Sequence, residues 1–138
     1  MSDDQQAIDA VVAAFFRAFD NTGGAKPALD SLHALCLPGC VIVKAVGATP
    51  EVSMLPEFIA PRAKLLAGGG LTEFSEHETQ ARTDRFGNVA QRFSSYRKSG
   101  VLDGVRFATE GRKSIQLIRT PAGWRISAVA WDDERGQP

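Results

Sequence analysis

The stretch from Gly111 to Trp131 constrains the fold most. Gly111–Thr120 and Gly123–Trp131 are rich in β-branched and aromatic residues and place apolar side chains at every second position, the period of a strand. Between them, Thr120-Pro121-Ala122-Gly123 is turn chemistry, because proline presets φ and glycine tolerates positive φ. The spacing predicts an antiparallel hairpin with Pro121-Ala122 at its tip. Thr120 then lies opposite Gly123, Arg119 opposite Trp124, Leu117 opposite Ile126 and Ile115 opposite Ala128. Opposed residues share a face. One face therefore carries Ile115, Leu117, Trp124, Ile126, Ala128 and Ala130. The other carries Arg112, Ser114, Gln116, Ile118, Arg125, Ser127, Val129 and Trp131. The first face tapers from Trp124 to the two alanines, which leaves either room for a ligand or a helix packed closely over them.

The segment 3–20 supplies a partner for such a face. Ile8, Val11, Val12, Phe15 and Phe19 recur at helical spacing, with Asp9 and Arg17 on the other side. Ser2, Asp3 and Asp4 offer capping oxygen and negative charge at the positive end of the helix dipole, and Asn21-Thr22-Gly23-Gly24 ends it. Lys26–Leu35 reads as a short second helix with Leu29, Leu32 and Leu35 inward, stopped by Pro38-Gly39. Cys40–Val46 reads as a well-covered strand, 47–53 as a loop, and 55–67 as a third helix bearing Phe58 and Leu65, with a kink or restart at Pro61.

From Leu71 the pattern turns to long strands. Asp84-Arg85-Phe86-Gly87-Asn88 is a hairpin signal between 71–85 and 88–99. A two-residue loop at Phe86-Gly87 places His77 opposite Tyr96. One face then carries Ser75, His77, Thr79, Ala81, Arg92, Ser94 and Tyr96, and the other carries Glu76, Glu78, Phe93 and Arg97. Residues 101–110 read as a polar connection or edge strand. The tail after Asp132 is expected to fray.

At 138 residues the chain fits one domain, 1–138, ordered over about 4–134. Sixteen basic and sixteen acidic residues balance, without a basic tract, so nucleic acid and anionic membrane are poor partners. Cys36 and Cys40, with only His33 near, make a poor zinc pattern and read as buried thiols. The N-terminus lacks signal-peptide character and no apolar run reaches spanning length; a cytoplasmic protein is the expectation. Helices first and long strands after make an α+β domain. Its N-terminal helices pack on a strongly curved, mixed but mostly antiparallel sheet that forms a cone around a cavity.

Over about residues 4–134 the chain resembles the nuclear transport factor 2-like (cystatin-like) superfamily, which includes the SnoaL-like polyketide cyclases and the ketosteroid isomerases. The residues that carry the likeness are Phe86-Gly87-Asn88-Val89-Ala90, Ser94-Ser95-Tyr96, Gly111-Arg112-Lys113-Ser114-Ile115-Gln116-Leu117 and Trp124-Arg125-Ile126, with Trp131 and Glu134. The resemblance implies a cone-shaped pocket and a homodimer packed through the sheet. It does not choose between catalysis and binding, because one fold hosts both. The isomerase's base and paired oxyanion donors do not map onto this chain.

Candidate residues follow from the faces. His77 and Tyr96 are the candidate catalytic pair, a neutral imidazole beside a phenol; the plain alternative is a cross-strand pair on a wet sheet. Glu76, Glu78 and Arg97 form either a pocket acid cluster or exposed ion pairs. Phe15, Phe19, Phe58 and Leu65 are candidate ligand-binding walls, and Ala128 and Ala130 the floor. Arg112, Ile118, Val129 and Trp131 are the candidate dimer face. No metal set, phosphate loop, nucleophile elbow or dinucleotide fingerprint occurs, so no cofactor is indicated. The sequence supports a pocket protein for a small, largely apolar ligand. The alternatives are an enzyme of cyclase, isomerase or hydrolase type, and a dimeric accessory domain with a residual pocket.

Overall fold

The computed structural model describes residues 3–135. Helix α1 (Asp3–Arg17) buries Ile8, Val12, Phe15 and Phe16, close to the expected stripe. It stops three residues before Asp20. Single 3-10 turns at Thr22–Gly24 and Leu29–Ser31 precede the one-turn helix α2 (Leu32–Leu35), so most of the expected second helix is turn and extended chain. Then come β1 (Cys36–Lys44), β2 (Glu51–Met54), α3 (Leu55–Ala67), β3 (Leu71–Phe86), β4 (Val89–Leu102), β5 (Val105–Thr120) and β6 (Gly123–Asp133). The expected cap at Ser2 lies outside the described residues; of the tail expected to fray after Asp132, Asp133 instead ends β6 and the Glu134 amide donates to the Glu110 carbonyl at 2.7 Å, while 136–138 lie outside the described residues.

The six strands form one open sheet in the order β2-β1-β6-β5-β4-β3. All neighbours are antiparallel except β1 and β6, which run parallel. The α+β class and the mixed, mostly antiparallel sheet are as the sequence predicts. Three boundaries differ. Pro38-Gly39 does not end a helix but occupies an irregularity inside β1, between Cys36 opposite Ile126 and Val41 opposite Ala128. The expected loop 47–53 contains the start of β2, whose Glu51 pairs with Lys44. The expected connection 101–110 is continuous strand on both sides of a tight turn at Asp103 (φ 49°) and Gly104 (φ 82°). Both turn residues have positive φ, which the Asp-Gly pair accommodates at low cost.

The main correction concerns side-chain parity. The final hairpin starts as predicted, with Thr120 opposite Gly123, Arg119 opposite Trp124 and Leu117 opposite Ile126. Gln116 then faces Ala128 and Ile115 faces Val129, so Ser127 is an extra residue on β6. One inserted residue moves everything beyond it to the opposite face. Val129 and Trp131 consequently join Ile115 and Leu117 in the core, while Ala128 and Ala130 turn to the convex side. The candidate dimer face thus loses Val129 and Trp131 and keeps Arg112 and Ile118. The candidate pocket floor of Ala128 and Ala130 is likewise displaced. In the β3–β4 hairpin, Phe86 pairs with Val89 and the register shifts between Glu78 and Gln80. His77 therefore faces Arg97, and Glu78 faces Tyr96.

The concave face is filled by α1. Ile8, Val12, Phe15, Phe16 and Phe19 form one core with Leu117, Trp124 and Ile126. Phe15 meets Phe16 and Phe19 edge-on at 6.2 and 5.6 Å, and Phe19 and Phe58, then Phe58 and Trp131, repeat the arrangement at 5.9 Å, a geometry favoured by the ring quadrupoles. Polar clamps fix the helix at two levels. Asp4 accepts from the Trp124 indole at 3.0 Å and from Arg119 and Arg85 at 3.1 and 3.0 Å. Asp9 accepts from Arg92 at 2.6 Å. Past the helix, buried Asn21 donates to the Leu71 and Leu66 carbonyls at 2.8 and 3.2 Å and accepts from the Phe74 amide at 2.7 Å, which joins the ends of α1 and α3 to the start of β3. Truncating Phe15 to Ala should lower the unfolding free energy by about 3–5 kcal/mol, read from urea denaturation midpoints.

Candidate functional site

A cavity of about 450 Å³ opens between α1, α3 and the concave face. Phe15 enters it from α1, Phe19 from the turn that follows, and Phe58, Arg62 and Leu65 from α3. Phe74, Phe107 and Trp131 complete its apolar wall. Its size and lining fall in the range of small-molecule sites. Against this wall stand charged groups from the sheet: Glu76 on β3, Lys98 on β4, Lys113 on β5 and Asp133 on β6.

Glu76 and Lys113 are both nearly sealed from solvent, with side chains 7% and 5% exposed, and their nearest approach is 3.4 Å. Lys113 Nζ lies 4.2 Å from the Tyr96 ring centroid, 4.7 Å from that of Trp131 and 5.5 Å from that of Phe16. Burial lowers the Lys113 pKa below the usual lysine range, opposed by the Glu76 carboxylate and reinforced by the Lys98 ammonium. At the cavity edge Arg62 stacks on Phe58, its guanidinium carbon 3.8 Å from the ring centroid, and donates to the Phe58 carbonyl at 3.1 Å. Burial lowers its pKa too, against the pull of Glu51 and Glu76.

Tyr96 stands behind the cavity wall. Directly opposite it on β5 is Gly111, and the phenol crosses that bare position to reach β6. It donates to Asp133 Oδ1 at 2.6 Å, with the Asp132 carbonyl oxygen 3.2 Å away. A Cβ at Gly111 would overlap both the Tyr96 hydroxyl and that carbonyl. Lys98 Nζ sits 3.0 Å from the same Asp133 oxygen. Burial raises the Tyr96 pKa, and the hydrogen bond to Asp133 and the nearby carboxylates raise it further.

The candidate walls Phe15, Phe19, Phe58 and Leu65 line the cavity. Ala128 and Ala130 do not; the Ser127 bulge puts Val129 and Trp131 on the concave side instead. His77 and Tyr96 are not a pair: His77 is exposed opposite Arg97, whereas Tyr96 is 1% exposed and bonded to Asp133. Of the expected acid cluster, Glu76 reaches the cavity. Glu78 is gripped by Arg92 through two nitrogens and by Ser94 at 2.6 Å, and Arg97 pairs with Glu110 at 3.5 Å near the surface. The sequence reading missed Lys113, although its signal was present. Lys113 occupies the same alternation as Ile115 and Leu117, so a lysine there points where the core must be.

Tyr96 is the chain's one tyrosine, which makes its ionisation directly readable. The folded state holds the phenol proton more tightly than the unfolded chain does. Above about pH 10, the ordinary tyrosine value, the unfolded chain releases that proton first, so stability falls as pH rises. Tyrosinate absorbance should appear together with loss of structure in an alkaline titration, and Tyr96→Phe should flatten the fall in denaturation midpoint over that range.

Neither a family model nor a curated protein matches the chain, but solved structures do. A nuclear transport factor 2 (NTF2-like) superfamily protein from Salmonella enterica serovar Typhimurium aligns over 97% of this chain and 93% of its own at TM-score 0.77 and 15% identity. An uncharacterised protein with a cystatin-like fold from Caulobacter vibrioides aligns over 97% and 92% at TM-score 0.74 and 12% identity. An NTF2-like protein of unknown function in nutrient uptake from Rhodospirillum rubrum aligns over 97% and 100% at TM-score 0.69 and 20% identity. What these proteins share with the chain is the path of the backbone, which in the described residues here is three helices on an open six-stranded sheet; the chain has the nuclear transport factor 2-like, cystatin-like fold.

Proposed function

We propose that the chain binds a small, largely apolar organic molecule in the cavity between α1, α3 and the concave sheet. The observation that carries this reading is the cavity of about 450 Å³, walled by aromatic side chains with charged groups gathered on its sheet side. Apolar lining gives affinity through area removed from water, and a few polar groups set orientation. A specific observation favours a second reading, an enzyme of cyclase, isomerase or hydrolase type: Glu76, Lys98, Lys113 and Asp133 share this one cavity, and acid and base groups in a dry site are the equipment of proton transfer. His77 has no part in either reading. Mass spectrometry of small molecules released from the freshly purified protein tests occupancy. Thr109, half-buried in the cavity wall on β5, is the position at which to fill the space. Thr109→Trp should weaken binding of an apolar fluorescent probe by about tenfold or more, the effect of about 1.4 kcal/mol or more, with an unchanged circular dichroism spectrum. Undiminished binding would place the site elsewhere.

The partner reading is a second copy of this chain, seated on the convex face. Phe93 and Val89 are 51% and 47% exposed there and Phe86 is 87% exposed, with Arg112 6.0 Å from the Phe93 ring centroid. Aromatic groups with arginine suit an interface core, and an apolar face of this kind is unusual on a monomer. Analytical ultracentrifugation should give twice the 14.8 kDa chain mass, and Phe93→Glu should return it to the monomer.

A further inference from the structure

Lys113 is the least ordinary group in the cavity. Its side chain is 5% exposed, on the same sheet face as Ile115 and Leu117. An ammonium has three N–H donors, yet among the described residues its only hydrogen-bond acceptor is Glu76, at 3.4 Å. The other directions meet the faces of Tyr96, Trp131 and Phe16. The charged groups around it are Glu76 from β3, Lys98 from β4, Asp133 from β6 and, farther out on α3, Arg62. An amine desolvated among aromatic rings, with a second cation close by, loses its proton more readily than a surface lysine. That is the environment in which lysine acts as a nucleophile toward carbonyl carbon.

Resting on the reading of the cavity as a ligand site, we propose that Lys113 captures an aldehyde or ketone group of the ligand as an imine. The free amine of Nζ attacks the carbonyl carbon and gives a carbinolamine. The carbinolamine then loses its hydroxyl. Both amine hydrogens and the carbonyl oxygen leave as water, a C=N bond replaces C=O, and nothing is oxidised or reduced. Glu76, the nearest carboxylate, takes the proton that nitrogen gives up and returns one to the departing hydroxyl. The aromatic faces around Nζ favour a flat, conjugated carbonyl compound over an aliphatic one. Lys98 is engaged by Asp133 at 3.0 Å and is not the nucleophile.

The test uses the full chain, benzaldehyde as the probe and cyanoborohydride to reduce any imine to a stable amine, followed by intact-mass measurement and peptide mapping. One adduct per chain is expected, on Lys113, formed ahead of exposed Lys26 and Lys64. Lys113→Arg should abolish it, and Glu76→Gln should slow it by about tenfold or more. Labelling of Lys113 no faster than of Lys26 and Lys64 in the unaltered chain overturns the proposal, whether or not the variants fold. Benzyl alcohol, the same ring without the carbonyl, separates the two readings through tryptophan fluorescence. If it binds and benzaldehyde does not label Lys113, the imine chemistry is wrong and the cavity remains a binding site. If neither compound binds, the cavity reading fails and the imine with it.

Discussion

The fold depends on one burial event, the aromatic stripe of α1 entering the concavity of a single open sheet. Neither partner is stable alone. The helix and the turn after it would expose Phe15, Phe16 and Phe19, and the sheet would expose the face bearing Ile115, Leu117, Trp124 and Ile126. Concavity is what lets the two fit. It comes from strands of eleven to sixteen residues whose registers slip at Ser127, near Thr79 and between Thr72 and Ser75, because each added residue bends its strand and tightens the twist. Ionic clamps at Asp4 and Asp9 hold the helix in place. The Arg92 centre is 7% exposed and satisfied on several sides, so removing one member would strand a buried charge.

That dependence explains where the sequence was legible. The helix stripe, α3, the turn at Pro121-Ala122 and the mixed α+β order could be read because each rests on a local period or on turn chemistry. The register could be read from Thr120 as far as Leu117. It failed at Ser127, since a bulge is set by how two strands accommodate curvature and not by any residue type. One misplaced parity then carried Val129, Trp131, Ala128 and Ala130 to the wrong faces. The error near Thr79 separated His77 from Tyr96 in the same way. The parallel pairing of β1 with β6 joins segments far apart in the chain, beyond the reach of local patterning. By contrast, the Asp103-Gly104 turn carries a local hairpin signal, masked by the polar character of the strands on either side.

The candidate site distributes its charges unevenly within one cavity. Aromatic walls come from both layers, Phe15 and Phe58 from the helices and Phe74, Phe107 and Trp131 from the strands, while the sheet supplies every charge except that of Arg62. Strands are the more rigid support, so charges on adjacent strands stay near one another whatever the helices do. The carboxylate–ammonium contacts Glu76–Lys113 and Asp133–Lys98 each reach across one intervening strand, from β3 to β5 and from β6 to β4. Two such pairs inside an apolar wall are costly to desolvate. Apolar residues of similar size would fill the same space at less cost, so stability alone does not account for the pairs.

Tyr96 and Gly111 are complementary in volume. The phenol occupies the space that a side chain at position 111 would need, and its hydroxyl links β4 to β6 over the top of β5. Substitutions at the two sites therefore cannot be independent. A chain drifting from this sequence can gain a side chain at 111 only if position 96 shrinks first, and it then loses the strut between β4 and β6. The order of exchange is fixed by space: the large residue must leave before the small one can grow.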